Sequence, residues 1–536
     1  MIKLTIISEG KPALEIEADS RFSLRQILFT NNVWIRSGCA GNGSCGLCKV
    51  KILGKNVNEP TPNETILLGK NNLSQGIRLA CQVYLQDDLQ IEIPKLTLES
   101  KWYYLQRTQI FENDFYLNSD FLNLIDKQRD AYGLAIDLGT TTIRLSIYNL
   151  KNGKFQSGRF GYNPQLEVGD NVVTRLQHAS ESPELAQEMK DMVIQAIGDA
   201  LLDISLKEGI NIQQLIKVTV VGNTAMLALL TGENYHLLLN SAYWSKPIEC
   251  RLKEPKSMID ILRINSQSII DVIQPISGFV GSDLLAGIVA TDLTRSEPVS
   301  LFIDFGTNSE IALWDGEELW FTSAAGGPAF EGSGISCGMP AVPGAINTVK
   351  YNEDSQRFDI GTIDNKRIKG ICGSGLVDLI AELNRINILT EKGSFAKSEM
   401  NNRFTLIEND VEIFITKKDV DAFQRAKAAI GAGIRVLLSK NSLSVQEVKR
   451  IHIGGAFGQC INVNNAQQIG LLPIISKEGR IDFCGNTALL GCEIVLFSLK
   501  LRREMKKIKK NAKLVNLAFS PRFDELFLEN LYLRAL

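Results

Sequence analysis

The sequence is poor in histidine and carries almost no net charge, and both shortages narrow the functions it can have. Only three histidines are present, and the formal net charge is −2. A nearly neutral chain has no electrostatic basis for binding nucleic acid or an anionic membrane, so neither is an expected partner. The three histidines, His178, His236 and His452, lack the short spacing of a metal site, so none is an expected ligand.

Long apolar runs and dense cysteine pairing are also missing. No uncharged apolar stretch reaches the roughly 18 residues that a membrane-spanning helix requires, and the first residues alternate like a strand rather than a signal peptide. Ten cysteines in 536 residues do not make a disulfide scaffold, and those outside the N-terminal region are scattered, as in a reducing compartment. We therefore expect a soluble cytoplasmic protein of roughly three or four domains.

Where cysteine is concentrated, it lies in one glycine-rich loop, residues 37–48. Cys39, Cys45 and Cys48 have the spacing C-x5-C-x2-C, and Cys81 follows later. This is close to the plant-type spacing in which four thiolates ligate a [2Fe–2S] cluster. The glycines allow positive φ angles and bring backbone N–H groups close to the sulfurs. The four cysteines are the predicted cluster ligands; zinc, which would need a second close pair, and a group of structural thiols are the alternatives.

The predicted elements around this loop follow the order of a β-grasp ferredoxin. Alternating residues and capping boxes predict a hairpin, a helix, the cysteine loop, a strand, a helix and a last strand. The corresponding ranges are 2–8 with 13–18, 23–31, 37–48, 49–53, 62–70 and 81–93. Residues 1–94 are thus expected to be a ferredoxin-type domain. Residues 95–130 show no clear period and are expected to be a linker with some helix.

A strand, a tight turn and a second strand occur twice in the remainder of the chain. The copies are 133–148 and 300–314, with the turns Asp137-Leu138-Gly139-Thr140-Thr141-Thr142 and Asp304-Phe305-Gly306-Thr307-Asn308. Such a repeat indicates an internal duplication. A glycine-bearing turn lets backbone N–H groups and hydroxyls approach phosphate oxygens, and its aspartate can hold Mg²⁺ through water or orient an attacking water. Two facing turns would clamp the phosphates of a nucleotide, although a single glycine turn is equally typical of a tight connection.

The two turns resemble the phosphate hairpins of the actin, sugar-kinase and heat-shock-chaperone ATPase superfamily. A third motif agrees, since the apolar strand from Arg450 runs into Gly454-Gly455 like the adenosine motif of that superfamily. The resemblance implies that Asp137 and Asp304 organise Mg²⁺ and water and that the two glycines seat the adenosine of ATP. The residues that it implies around the phosphates are Gly139, Thr140, Thr141, Thr142, Gly306, Thr307 and Asn308.

The same resemblance implies a multidomain α/β protein with duplicated ribonuclease-H-like lobes after the ferredoxin domain and linker. We expect a middle domain with the first phosphate hairpin at 131–206 and a C-terminal actin-like ATPase domain at 207–536.

A [2Fe–2S] ferredoxin joined to this ATPase fold resembles the reductive activators of corrinoid proteins, which serve corrinoid-dependent methyltransferases and O-demethylases. The matching segments, besides the cysteine loop, are 135–142, 222–226, 303–310, 327–332 and 371–376. The resemblance implies ATP-dependent one-electron reduction of Co(II) to Co(I) on a corrinoid protein of a methyltransferase system, with an external low-potential electron donor. Plant-type clusters lie near about −400 mV and the cobalt couple lies lower, so the electron moves uphill.

Three other functions stay open on the sequence. One is a redox-regulated kinase for a small molecule, although no substrate base is evident. Another is an ATP-gated electron donor to a different low-potential enzyme such as a dehydratase, although such activators usually lack a ferredoxin domain. The third is a scaffold that binds ATP without turnover. The sequence leaves the oligomeric state open as well, with a homodimer as one alternative.

Overall fold

A computed structural model of the chain provides the fold. The residues that it describes are 2–8, 13–31, 33, 35, 43, 46, 48–93, 102–105, 130–169, 171–306, 308–324, 326, 328–332, 334–396, 402–407, 412–455, 461–476 and 479–536. Cys39, Cys45 and Thr307 lie outside these ranges, as does most of the expected linker with its predicted helix. Within them, no helix combines the length and the apolar character needed to cross a membrane.

The N-terminal domain has the predicted β-grasp architecture. Five described strands form a mixed sheet in the order β2-β1-β5-β3-β4, with β1 parallel to β5 and the other neighbours antiparallel. Apolar side chains from two helices and the sheet share one core. The elements are β1 (Ile2–Ser8), β2 (Leu14–Ala18), α1 (Leu24–Thr30), β3 (Lys49–Ile52), α2 (Pro62–Ser74), β4 (Ile77–Leu79) and β5 (Leu89–Ile93).

The segment around Cys81 differs from the predicted strand over 81–93. Strand β4 ends before it, and Cys81 lies in a short 3-10 turn, Ala80–Gln82. The turn is fixed to the end of the cysteine loop, because the Ala80 N–H donates to the Cys48 carbonyl at 2.8 Å. The fourth predicted cluster cysteine is therefore held next to the third by backbone pairing, not by the sheet itself.

A buried ion pair joins α2 to β4 in this domain. The Arg78 Nε lies 2.8 Å from the Glu64 Oε1, and the side chains are only 7% and 0% exposed. Glu64 also accepts from the backbone N–H groups of Leu79 and Thr61, both at 2.9 Å. Burial alone would raise the pKa of Glu64, but these hydrogen bonds hold it below its ordinary value.

The described part of the linker is attached to the next domain. Tyr103 and Tyr104 form the short strand β6, which pairs with a strand containing Phe160. The Tyr103 ring stacks on Phe160 with centroids 5.2 Å apart. Gly161 leaves room for Trp102, since a Cβ there would come within 2.9 Å of the indole. At this point the connector is an edge strand of the following lobe.

The first lobe is a sheet of six described strands in the order β11-β10-β7-β8-β9-β6. Strands β7, β10 and β11 are mutually parallel, whereas β8 and β9 continue β7 as antiparallel strands. Its elements after β6 are β7 (Tyr132–Leu138), β8 (Thr142–Asn149), β9 (Phe155–Tyr162), α3 (Val172–Glu181), α4 (Pro183–Glu208), β10 (Leu215–Gly222), α5 (Thr224–Thr231), α6 (Pro255–Leu262), β11 (Ile269–Val272) and α7 (Ser282–Ala290).

The expected boundary between residues 206 and 207 is corrected by this sheet. Strand β10 returns after α4 and pairs with β7 in parallel, so that Val220 stands opposite Ile136. A parallel neighbour requires a crossover, and α4 is part of that crossover. The break after 206 therefore divides a single sheet, and the first lobe extends at least to α7.

The second lobe repeats the first. Its six described strands run β21-β20-β12-β13-β14-β22, with the same parallel and antiparallel relations among the first five. Two small sheets, β15–β17 and β18–β19, are additions to it. The elements are β12 (Ser300–Asp304), β13 (Ser309–Trp314), β14 (Leu319–Ala324), β15 (Ala345–Asn352), β16 (Arg357–Thr362), β17 (Gly370–Ile371), α8 (Gly373–Arg385), β18 (Arg403–Ile407), β19 (Ile413–Thr416), α9 (Lys417–Lys440), β20 (Arg450–Gly454), α10 (Val463–Gln468), β21 (Arg480–Gly485), α11 (Thr487–Phe497), α12 (Leu499–Asn511), β22 (Lys513–Leu514) and α13 (Phe523–Glu529).

Helices α7 and α11 follow equivalent strands of the two lobes and pack against each other. Gly491 permits the close approach, because a Cβ there would lie 2.0 Å from the Ala286 carbonyl oxygen. Around this crossing, apolar residues of both sheets, including Val221 and Phe302, form one shared core. The two lobes are therefore joined by an apolar contact at the end of their central strands.

Replacing Arg78 by Met should destabilise the ferredoxin domain by about 3 kcal/mol, because Glu64 would stay buried without its cation. Hydrogen exchange of the intact protein, followed in peptides from β3 and β4, should quicken by about 100-fold. The contribution of Glu64 to the stability of the domain should be lost as the pH falls below the usual range of glutamate pKa values, because the pKa of Glu64 in the folded protein is lowered.

The matched control is Lys51→Met, which removes the exposed Lys51–Glu92 pair, whose side chains are 45% and 42% exposed. For this variant, the free energy of opening obtained from hydrogen exchange should change by no more than about 0.5 kcal/mol. Equal effects of the two substitutions would show that burial of the Arg78 pair is not what stabilises the domain.

Candidate functional site

The first of the two turns predicted to bind phosphate, called the first phosphate turn, connects β7 to β8 at the end of the central strand. Gly139 donates its N–H to the Thr142 carbonyl at 3.1 Å, which closes the turn. A Cβ on Gly139 would lie 2.6 Å from that same oxygen, so the position requires glycine. Thr141 is exposed at the tip, and Thr140 is partly exposed beside it. The Thr141 side chain is thus exposed at the tip of the turn, beyond the end of the strand pair.

Three side chains support this turn from behind. The fully buried Arg175 donates from Nη1 to the Thr140 carbonyl at 2.7 Å. The Asn223 Nδ2 donates to the Thr140 Oγ1 at 2.9 Å, and the Asn163 Nδ2 donates to the Gly139 carbonyl at 3.0 Å. Asn223 belongs to the segment 222–226, which the sequence analysis linked to the corrinoid-activator family. The structure thereby gives part of that segment a role in fixing the turn.

The second turn lies at the equivalent place in the other lobe. Asp304 ends β12 and stands opposite Gly454 on the parallel strand β20. A Cβ on Gly454 would come within 2.8 Å of the Thr487 hydroxyl, and one on Gly455 within 2.4 Å of the Phe305 carbonyl oxygen. Gly455 also has a φ of 85°. Both glycines of the predicted adenosine motif therefore lie directly against the second aspartate turn; Gly306 and Asn308 are described there as well.

Two consecutive residues link the aspartates of the two lobes. The Asn486 Nδ2 donates to the Asp137 Oδ2 at 3.0 Å, and the Thr487 Oγ1 donates to the Asp304 Oδ2 at 3.3 Å. Asn486 is also the N-cap of α11, accepting from the Leu489 N–H at 2.7 Å. The start of one helix thus holds Asp137 and Asp304 at the same place between the lobes.

Two further carboxylates meet the predicted pair. Asp283 lies in the first turn of α7, and Glu310 faces Asp304 across the β12–β13 ladder. In the first lobe the position equivalent to Glu310 is Arg144, which faces Asp137 and places its Nη1 3.7 Å from the Asp137 Oδ2. The duplicated hairpins therefore carry opposite charges at matching positions.

The electrostatics of this carboxylate cluster, Asp137, Asp283, Asp304 and Glu310, favour protonation. Burial, and then the charge of Asp137, raise the pKa of Asp283 to about 7 and that of Asp304 to about 6. Burial and the charges of Asp283 and Asp304 raise the pKa of Glu310 well above its ordinary value. Burial also raises the pKa of Asp137, against the opposing effects of Arg144 and Asn486. A bound cation or bound protons would therefore be needed to offset the repulsion among these four neighbouring carboxylates.

Direct metal ligation is not built into this arrangement. Among the residues that the structure describes, no three His, Cys, Asp or Glu side chains converge closely enough to hold a metal ion. Mg²⁺ characteristically keeps several waters and uses one or two protein carboxylates together with substrate phosphates. The donor set of oxygen atoms around Asp137 and Asp304 fits that mode of binding.

The cysteine site is described at two of its four predicted positions. Cys48 and Cys81 are buried, 1% and 3% exposed, at the edge of the ferredoxin core. Gly43 and Gly46 of the loop have φ angles of 76° and 68°. Side chains would be strained at both glycines, so the loop can pass closely around a ligand. Two buried thiols beside a glycine cradle fit a [2Fe–2S] cluster.

Asp283 and Glu310 are the site residues that the sequence analysis did not assign. Asp283 follows Gly281 and Ser282 immediately before an apolar helix, a pattern that indicates a polar turn able to face the cleft but gives the aspartate no role. Glu310 stood within the second hairpin motif without a role. The available signal was the duplication itself, since aligning the two hairpins places Glu310 opposite its aspartate as Arg144 is placed opposite Asp137.

Replacing Asp283 by Asn should stabilise the protein at pH 8 in the absence of nucleotide and metal, because it removes one of four facing charges. The raised pKa of Asp283, about 7, means that the folded state binds more protons than the unfolded chain between about pH 4 and 7. Wild-type stability therefore falls as the pH rises through that window. Scanning calorimetry in the presence of a chelator should show a higher midpoint temperature for the variant at pH 8, which corresponds to a gain on the order of 2 kcal/mol in the free energy of unfolding. Near pH 4 the two midpoint temperatures should be the same.

Asp260→Asn is the control for this measurement, since Asp260 is an exposed carboxylate on α6. It should leave the midpoint unchanged at both pH values. A lower midpoint for Asp283→Asn at pH 8 would contradict the mutual repulsion of the cluster.

Three family models match consecutive parts of the chain. The model described as a 2Fe-2S iron-sulfur cluster binding domain matches residues 6–86. The model of the RACo middle region matches residues 132–296, and that of the C-terminal domain of RACo, the ASKHA domain, matches residues 298–535. The division between the last two coincides with the division between the two lobes.

Individual relatives agree along most of the chain. The solved structure of a reductive activator for a corrinoid, iron-sulfur protein superposes with a TM-score of 0.66 at 26% identity and covers 100% of this chain and 99% of its own. A [Co(II) methylated amine-specific corrinoid protein] reductase of Methanosarcina barkeri is 28% identical, covering 74% of this chain and 76% of its own. The corrinoid activation enzyme RamQ of Eubacterium limosum is 32% identical over 437 residues, 77% of this chain and 72% of its own. On this similarity, the chain belongs to the family of ferredoxin-domain corrinoid activation enzymes.

Proposed function

We propose that this protein reduces the cobalt of a partner corrinoid protein from Co(II) to Co(I), using ATP to drive an uphill one-electron transfer. The observation that carries the proposal is the bridge Asn486–Thr487, which brings the aspartates of two duplicated turns to one place. That nucleotide-type site stands in the same polypeptide as a ferredoxin-type domain. The substrate class is inferred from the relatives, which are a corrinoid activation enzyme and a corrinoid protein reductase.

The electron-carrying end is assigned to Cys39, Cys45, Cys48 and Cys81 as ligands of a [2Fe–2S] cluster. The positions of Cys48 and Cys81 support this assignment, because both are buried at the edge of the ferredoxin core beside the cysteine loop. When bound, the cluster supplies single-electron transfer at low potential. The ferredoxin core holds Cys81 against the cysteine loop through the Ala80–Cys48 backbone hydrogen bond. An external low-potential donor would supply each electron.

At the nucleotide end, the two turns are proposed to bind the phosphates of ATP. The hydroxyls and N–H groups assigned to this task belong to Gly139, Thr140, Thr141, Thr142, Gly306, Thr307 and Asn308. Asp137 and Asp304 would hold Mg²⁺ through water, which would supply positive charge between phosphate and carboxylates. Gly454 and Gly455, which lie directly against the second aspartate turn, would seat the adenosine.

Asp283 is proposed to accept the proton of the attacking water. It shares the cleft with Asp137 and Asp304, whose charges help to raise its pKa to about 7, so that it is an effective base near neutral pH. Glu310 would share a proton or the cation with Asp304 across the β12–β13 ladder. The chain's own groups thus provide a base, a cation site and two phosphate turns.

Energy coupling requires a difference between two conformations of the complex. Each 100 mV of uphill transfer costs about 2.3 kcal/mol for one electron, and ATP can supply it only by favouring one state over another. The lobes meet at the α7–α11 crossing and share the bridge from α11 to both aspartates. Nucleotide binding at that bridge would therefore change the relation of one lobe to the other.

The function is tested by following the absorbance of a purified Co(II) corrinoid protein with reductant, this protein and ATP. We expect loss of Co(II) only when all three are present. The Cys45→Ser variant should abolish this reduction yet bind ATP normally. Reduction that proceeds equally without ATP, or that survives in Cys45→Ser, would refute the proposed route.

Asp283→Asn should lower the rate constant of ATP hydrolysis by about 100-fold or more, because a general base is removed. ATP affinity, measured by calorimetry, should stay within a few fold, since the phosphate turns are intact. Wild-type hydrolysis should rise with pH as Asp283 loses its proton, and the variant should lack this rise. Asp260→Asn serves again as the control and should hydrolyse ATP at the wild-type rate. If Asp283→Asn also hydrolyses ATP at the wild-type rate, Asp283 is not the base.

A further inference from the structure

We propose that Gln82 sets the reduction potential of the [2Fe–2S] cluster by donating an amide N–H to the sulfur of Cys81. The inference rests on the proposed cluster and adds a residue that the ligand set does not include. Gln82 directly follows the fourth predicted ligand, in the 3-10 turn Ala80–Gln82. It is a positioning residue, since it would act through the cysteine sulfur.

The side chain of Gln82 folds back over its neighbour. Its Nε2 lies 3.7 Å from the Cys81 Sγ and 3.3 Å from the Cys81 carbonyl oxygen. Sulfur is a large acceptor, and an N–H donor at this separation is within hydrogen-bonding reach. Cys81 itself is only 3% exposed, so water competes weakly for the sulfur.

The position of Gln82 is fixed from two sides. Gly43 of the cysteine loop lies against it, because a Cβ on that glycine would come within 2.6 Å of the Gln82 Nε2 and 2.7 Å of its Cδ. On the other side, the Asn58 Nδ2 donates to the Gln82 carbonyl at 3.0 Å, and the Asn58 Oδ1 accepts from the Tyr84 N–H at 2.7 Å. The amide is thus held between the loop and the fourth cysteine.

A donor on a ligating sulfur favours the reduced cluster. Reduction adds negative charge that spreads onto the sulfurs, and hydrogen bonds to them stabilise that charge and raise the potential. The effect matters for an uphill donor, because a higher potential eases loading from the external reductant but enlarges the step that ATP must drive. Gln82 would therefore make reduction of the cluster by the external donor more favourable and electron transfer from the cluster to cobalt less favourable.

The test compares the full-length wild-type protein with Gln82→Leu, purified without oxygen and assayed for iron. Spectroelectrochemical titration of the visible absorption should give a more negative midpoint for the variant. At the wild-type midpoint, the ratio of reduced to oxidised cluster should fall several-fold. The matched control is Gln86→Leu, which alters an exposed glutamine four residues away and should leave the midpoint unchanged.

An unchanged midpoint potential in Gln82→Leu at normal iron content would overturn the inference. A more positive midpoint would overturn it as well, because it would indicate that the amide oxygen of Gln82, not its N–H, faces the sulfur. If the leucine variant loses iron, Gln82→Met, which keeps the length without the donor, takes its place with the same expected shift. Should the methionine variant also fail to hold iron, a structural role replaces the one proposed. Wild-type protein that binds no iron would refute the cluster itself, a result distinct from an unchanged midpoint.

Discussion

Mutual repulsion among Asp137, Asp283, Asp304 and Glu310 is the constraint on which the two duplicated lobes depend. Burial raises the pKa values of all four carboxylates, and the charges of neighbouring carboxylates raise those of Asp283, Asp304 and Glu310 further. Arg144 is a nearby cation on the side of Asp137. Such an arrangement is costly in stability and persists because an apolar contact between the lobes, around the α7–α11 crossing, holds it together. The cluster therefore favours the uptake of protons or of a cation.

The duplication explains both what is symmetric and what is not. Each lobe contributes a strand with an aspartate at or next to its end, a glycine turn and a helix that follows its outer parallel strand. The symmetry breaks at the cross-strand partners, Arg144 in one hairpin and Glu310 in the other. One aspartate is thus partly neutralised by protein, whereas the other faces a second carboxylate. Binding of a cation or a proton is therefore more favourable at the second turn, where Asp304 faces Glu310, than at the first.

Much of this arrangement was predictable from local sequence, and the exceptions have a common cause. The cysteine spacing and the repeated Asp-x-Gly-Thr turns predicted the domain types, because each depends on residues close together in the chain. The break at 206 was wrong because β10 pairs with β7 only after a long crossover. Asp283 was left unassigned for a similar reason, since the start of α7 reaches Asp137 through β10, where the Gly222 N–H donates to the Ser282 hydroxyl and the strand pairs with β7. Local patterns do not state which distant turns meet.

The described part of the linker bears on how the two ends of the molecule communicate. Strand β6 pairs with β9, and β9 pairs with β8, whose first residue, Thr142, belongs to the first phosphate turn. Gly158 and Gly161 on β9 give room for Leu105 and Trp102, so the connector is packed at that edge. A displacement of the first lobe therefore carries this edge strand, and the chain entering it, along with the turn. Because the ferredoxin domain precedes this strand in the chain, its connector is coupled to the lobe that contains Asp137, which gives that lobe a covalent and hydrogen-bonded path toward the ferredoxin domain.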